Sequence, residues 1–101
     1  MDESVYTLGV WHVQPGNEEA FIAAWQELGA IFRHLPQPPT GKGTLLQSLA
    51  EPTLFYSFGP WGDLSDIQAM RNDPQAQNGI AKLRALCTEA TPGSFRVVAE
   101  A

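Results

Sequence analysis

Cysteine is nearly absent from this chain: Cys87 stands alone among 101 residues. A lone thiol excludes an internal disulfide framework and any CxxC metal or redox motif. It also fits a reducing compartment. Positive charge is scarce too. Six Lys and Arg residues stand against eleven Asp and Glu, for a formal net charge of −5. The six (Arg33, Lys42, Arg71, Lys82, Arg84, Arg96) are scattered along the chain, whereas nucleic acid and anionic membrane surfaces are held by convergent cations. Neither is an expected partner. Histidine occurs twice, as His12 and His34, without HxH or HxxxH spacing, so no metal site is expected. No apolar run approaches the roughly 20 residues of a membrane helix, and the acidic opening Met1-Asp2-Glu3-Ser4 does not read as a secretory signal. P-loop, GxGxxG and Ser-His-Asp contexts are missing. The expectation is a soluble, cytoplasmic, acidic protein forming one domain over 1–101.

What is present is strongly periodic. Ser4 to Val13 (SVYTLGVWHV) is rich in β-branched and aromatic residues and stops at Pro15-Gly16, so it reads as a strand. Both of its faces are largely apolar: Val5, Thr7, Gly9, Trp11 and Val13 on one, Tyr6, Leu8, Val10 and His12 on the other. Asn17 to Leu35 reads as a helix, with Asn17 at the N-cap and Glu18 and Glu19 in the first turn. Phe21, Ala24, Trp25, Leu28, Ile31, Phe32 and Leu35 make its apolar stripe. Thr44 to Ala50 and Thr53 to Gly59 read as a hairpin ended by Gly59-Pro60-Trp61-Gly62. A short helix follows from Asp63 to Arg71, with Asp63 and Asp66 in capping-box-like spacing. Asp73-Pro74 restarts it, with Ala76, Ile80, Leu83 and Cys87 as the stripe. Thr91-Pro92-Gly93 reads as its stop, and Ser94 to Ala99 as the last strand.

The order β-α-β-β-α-β predicts an α+β, ferredoxin-like fold: a four-stranded antiparallel sheet with helices on one face. The opposite sheet face cannot be entirely polar, because the first strand is apolar on both faces and the third offers Leu54, Tyr56 and Phe58 on one side and Phe55 and Trp61 on the other. Such a surface marks association, and a homodimer through packed sheet faces is expected.

The run of the first strand into Pro15-Gly16, then Glu19-Ala20-Phe21 and Trp25, resembles the opening of antibiotic biosynthesis monooxygenase domains. Trp61-Gly62-Asp63 after a strand, then a short helix broken at Asp73-Pro74, resembles their second half. The likeness runs from about Tyr6 to Val98 and marks scaffold more than chemistry. It implies a dimeric α+β barrel with a pocket between helices and sheet in each subunit. It also implies oxidation of phenols or anthrone-like compounds by dioxygen without metal, haem or flavin, so no cofactor is expected. The haem-degrading branch relies on an Asn, a Trp and a His ligand that would fall at Gly9, Met70 and Ile80 here, and all three differ. Ordinary members often carry a His near the end of the short helix, where this chain has Met70-Arg71.

On that footing Trp11, Trp25 and Trp61 are the candidate substrate-binding residues, as indoles that stack on a flat ligand, although core packing is the more ordinary role of large aromatics in a small domain. Gly9 beside Trp11 either leaves space for a ligand or marks a bulge. Tyr56 and Arg71 are the candidate catalytic residues, as a hydroxyl donor and as a cation beside a substrate oxyanion. His12 is a possible general base, although parity puts it opposite Trp11. His34 complements a helix C-terminus. Cys87 reads as buried and inert, without a visible cationic neighbour. The leading function is a cofactor-independent monooxygenase acting on a small aromatic or quinone-type compound. A non-catalytic dimeric small-molecule-binding protein, or an isomerase or decarboxylase on the same scaffold, stands as the alternative.

Overall fold

The computed structural model describes residues 4–101; Met1-Asp2-Glu3, the acidic opening, lies outside them. The elements follow as β1 (Val5–Val13), α1 (Glu18–Arg33), β2 (Thr44–Gln47), β3 (Leu54–Trp61), α2 (Leu64–Asn72), α3 (Pro74–Ala85) and β4 (Cys87–Arg96). The strands form one antiparallel sheet in the order β2-β3-β1-β4. The fold is the expected α+β, ferredoxin-like one. No helix among the described residues is long and apolar enough to cross a membrane.

Several boundaries differ from expectation, each for a local reason. β4 begins at Cys87, directly after the α3 C-cap Leu86, instead of at Ser94. Cys87 therefore lies on a strand paired with Val13 and not on the α3 stripe. Thr91-Pro92-Gly93 runs inside β4. β4 is an edge strand, where a proline is tolerated because its missing N–H can face solvent. β3 likewise continues through Pro60 to Trp61. The Pro60 carbonyl accepts from Thr40 N at 3.1 Å, past the end of β2, so no ladder bond is lost on that side. β2 stops at Gln47, and the hairpin loop is longer than a tight turn. There Glu51 N donates to Ser48 Oγ and Gln47 Nε2 to the Pro52 carbonyl.

The helix breaks are capped as the sequence suggests, with exceptions in detail. Asp63 accepts from both the backbone N and the hydroxyl of Ser65. Those bonds hold its carboxyl below the usual carboxylate range, the hydroxyl contributing most. Asp63 thus caps the helix through Ser65, and among the described residues no bond from Asp66 completes a capping box. Asp73 accepts from Ala76 N at 2.9 Å, with Pro74 opening α3. Asn17 occupies the α1 N-cap without a side-chain bond; Glu18 instead reaches back to Gly16 N at 2.8 Å.

The helices cover one sheet face over two separate apolar clusters. Trp11, Val13, Phe21, Ala24, Leu28, Phe55 and Leu83 form the first. Val5, Trp61, Ile67, Met70 and Ala76 form the second. Phe32 and Ile80 pack against both. Phe21 and Phe55 are essentially fully buried, with ring centroids 5.1 Å apart; burying each contributes roughly 1.5–3 kcal/mol.

Candidate functional site

The gap between the two clusters has a cause in strand register. On the helix-facing side of β1 and β3, Val5 pairs with Trp61 at one end and Trp11 with Phe55 at the other. Between them Thr7 pairs with Gly59 and Gly9 with Ser57. Four small residues side by side lower the sheet floor; the Trp11 indole lies back over Gly9, and the space above stays open between the large rings. Side chains of the helices do not fill it, and a cavity of about 1070 Å³ remains between α1, α3, the loop of residues 39–43 and the sheet. That is the size range of small-molecule sites.

Trp11, Trp25 and Trp61 all line this cavity. Trp11 and Trp61 are also core residues, 4% and 3% exposed. Their indole N–H groups are spent on the floor. Trp11 Nε1 donates to Ser57 Oγ at 2.9 Å, and Trp61 Nε1 to Thr7 Oγ1 at 3.1 Å. These bonds fix the ring planes at the cavity's edge. Phe32 meets Trp61 edge-on at 5.4 Å. Trp25 is half-buried on α1 beside Gly43. Gly9 provides no room for a ligand: a Cβ there would lie 2.7 Å from Trp11 Nε1, so the indole folds back over it. The irregular register falls at His12/Val13, not at Gly9.

Arg71, in the last turn of α2, lines the cavity, and Met70 and Ile80 line it with Gly9. Tyr56 does not. It sits on the other face of β3, 42% exposed, paired with Val10 and Leu46. Pairing parity decides this, since Phe55 and Ser57 take the inward positions. His12 is on that outer face as well, its Nε2 3.9 Å from Glu89 Oε2. His34 lies at the end of α1, its ring Nδ1 2.8 Å from the Ala30 carbonyl. Cys87 is half-buried outside the cavity; burial pushes its thiol up, and Arg84, a cationic neighbour the sequence did not reveal, opposes the shift. Among the described residues no group of three or more His, Cys, Asp or Glu is placed to hold a metal ion. Thr7, Ser57 and Gly59, the floor of the hollow, were missed at the sequence level. Their signal is a run of small residues at matching inward positions of two neighbouring strands.

No sequence family matches the chain, and no curated protein does. Solved structures do. A single-residue variant of SnoaB, a cofactor-independent oxygenase from Streptomyces nogalater, superposes with a TM-score of 0.84 at 22% identity, over 96% of this chain and 95% of that one. SnoaB itself gives 0.80 at 21%, over 99% and 97%. A candidate antibiotic biosynthesis monooxygenase from Bordetella bronchiseptica gives 0.81 at 16%, over 96% and 99%. The chain has the antibiotic biosynthesis monooxygenase fold. At these identities the likeness establishes the scaffold, and the chemistry rests on the cavity. In this monooxygenase fold the cavity's walls carry the rings the sequence singled out, and its lining side chains include no Asp, Glu or His among the described residues.

Proposed function

We propose that the chain is a cofactor-independent monooxygenase for a small, flat aromatic or quinone-type compound, bound between Trp11, Trp25 and Trp61. The observation that carries this reading is the ring-walled cavity of about 1070 Å³ on a scaffold similar to that of an oxygenase. The substrate supplies every electron. A phenol or anthrone loses a proton, and the anion passes one electron to dioxygen. The radical pair joins as a C–O bond and takes up a proton, giving a hydroperoxide. Loss of water leaves a carbonyl, so CH2 and O2 become C=O and H2O. Arg71, at the cavity's edge, turns its cation toward the developing oxyanion in this reading and lowers the cost of forming it. Tyr56, on the far side of the sheet, has no part. With no carboxylate or imidazole among the described lining residues, the proton leaves to solvent, and the nearby cation lowers the pKa of the bound phenol.

The test is oxygen uptake with chelator present and no added cofactor, across anthrones and dihydroxynaphthalenes. Uptake should exceed the spontaneous rate and rise with pH through one substrate ionisation. Arg71→Gln should lower it about 10–100-fold and move that ionisation upward. Uptake at the spontaneous rate for all substrates sinks the reading. The missing base favours a second reading, a non-catalytic binding protein, which predicts ligand binding without uptake.

The homodimer belongs to the same proposal. The outer sheet face carries Leu46, Tyr56 and Phe95, 53%, 42% and 54% exposed, around the half-buried Tyr6, Leu8 and Val10. An apolar face of this kind is suited to a second copy.

A further inference from the structure

Charge is distributed very unevenly about the cavity. Four of the six cationic side chains line it: Arg33, Lys42, Arg71 and Arg84. No carboxylate among the described residues does, in a chain where acids outnumber bases. The four come from four places in the sequence, namely the end of α1, the loop before β2, the end of α2 and the end of α3. All four are solvent-exposed, so their charged heads stand at the mouth while the rings stand within. None makes an ion pair with a described residue, whereas Lys82, outside this cavity, is held by Glu27 at 3.0 Å. Cations of one sign around an apolar cleft, with no carboxylate among the described lining residues, raise the local concentration of anions and are poised to bind one. Spread over separate elements, they make a positive rim and not the convergent backbone cradle that phosphate groups use.

We infer that the cavity is selective for an aromatic carboxylate: the ring system enters between the indoles, and the carboxylate stays at the mouth against the guanidinium groups. The inference rests on the aromatic-binding reading above and adds the ionised group that the ligand must carry. An arginine fork takes a carboxylate in bidentate, charge-assisted hydrogen bonds. A neutral amide of the same shape cannot accept them in the same way, and this difference is the specificity.

Tryptophan quenching with anthraquinone-2-carboxylate and with its neutral carboxamide decides the matter. The carboxylate should bind at least about tenfold tighter at low salt. The preference should shrink as ionic strength rises and screens the rim. Arg84→Gln and Arg33→Gln should each reduce it several-fold with melting temperature unchanged, since both side chains are exposed and unpaired with described residues. Lys82→Gln makes the same change in net charge away from the cavity and should leave the preference intact. Equal affinity for acid and amide overturns the carboxylate rim and leaves the aromatic pocket standing. An equal loss with Lys82→Gln assigns the effect to net charge and overturns it too. Binding of neither compound overturns the aromatic-binding reading, and the rim with it.

Discussion

Two indole N–H groups set the shape of the cavity. Trp11 is anchored on Ser57 and Trp61 on Thr7, and the glycine at position 9 lets the first ring lie flat on its own strand. A methyl group at Gly9 would meet that indole at under 3 Å, so the ring must move. Gly9→Ala should therefore lower the melting temperature and red-shift tryptophan emission. Ser57→Ala, which only unpairs Nε1, should cost about 1 kcal/mol in a denaturant titration. A Gly9→Ala protein with unchanged emission would show that Trp11 has another place to go. At this scale the sequence exposed the large residues and hid the small ones. Three tryptophans are conspicuous in any reading, whereas Thr7, Ser57 and Gly59 gain meaning only when the β1–β3 register aligns them. Tyr56 and Arg71 looked alike as candidates. Strand parity sent one away from the cavity, and a helix end brought the other to it.

The elements were legible where caps and periodicity agreed. α1 and the α2/α3 break at Asp73-Pro74 follow from the apolar stripe, the cap and proline at the first helical position. Asp73 links both helices, closing α2 through its backbone N–H to Met70 and opening α3 through its carboxylate. Asp73→Ala should cost about 1 kcal/mol of unfolding free energy, and Asp73→Ser should recover most of it. No loss in the alanine variant would mean that Pro74 alone sets the break. β4 is longer than its composition suggests because strand pairing outweighs its turn residues. Pro92 and Gly93 signal a turn in isolation, yet on an edge strand beside β1 they are carried through ten residues of sheet. A strand that starts one residue after a helix leaves no loop composition to read.

For the whole molecule, element order carried the fold, and the doubly apolar β1 carried the apolar outer sheet face. Charge segregation was not visible, because cations distant in sequence meet only around the folded cavity. The outer sheet face predicts a dimer. Sedimentation should give twice the chain mass, and a Leu46→Glu/Tyr56→Lys double variant should sediment as a monomer of unchanged helicity. A wild-type chain that is monomeric at tens of micromolar contradicts that face as an interface. The proposed aromatic oxidation takes place in the hollow between the two core clusters. Ala81, exposed on α3 and lining the cavity, allows that space to be filled without replacing a core, floor or cationic residue. The most direct measurement is anthrone-dependent oxygen uptake by the wild-type chain and by Ala81→Trp, with melting temperatures recorded alongside. Oxidation in the hollow requires uptake above the spontaneous rate in the wild type and its loss in an equally stable variant. Equal uptake by both proteins would place the chemistry elsewhere and contradict it.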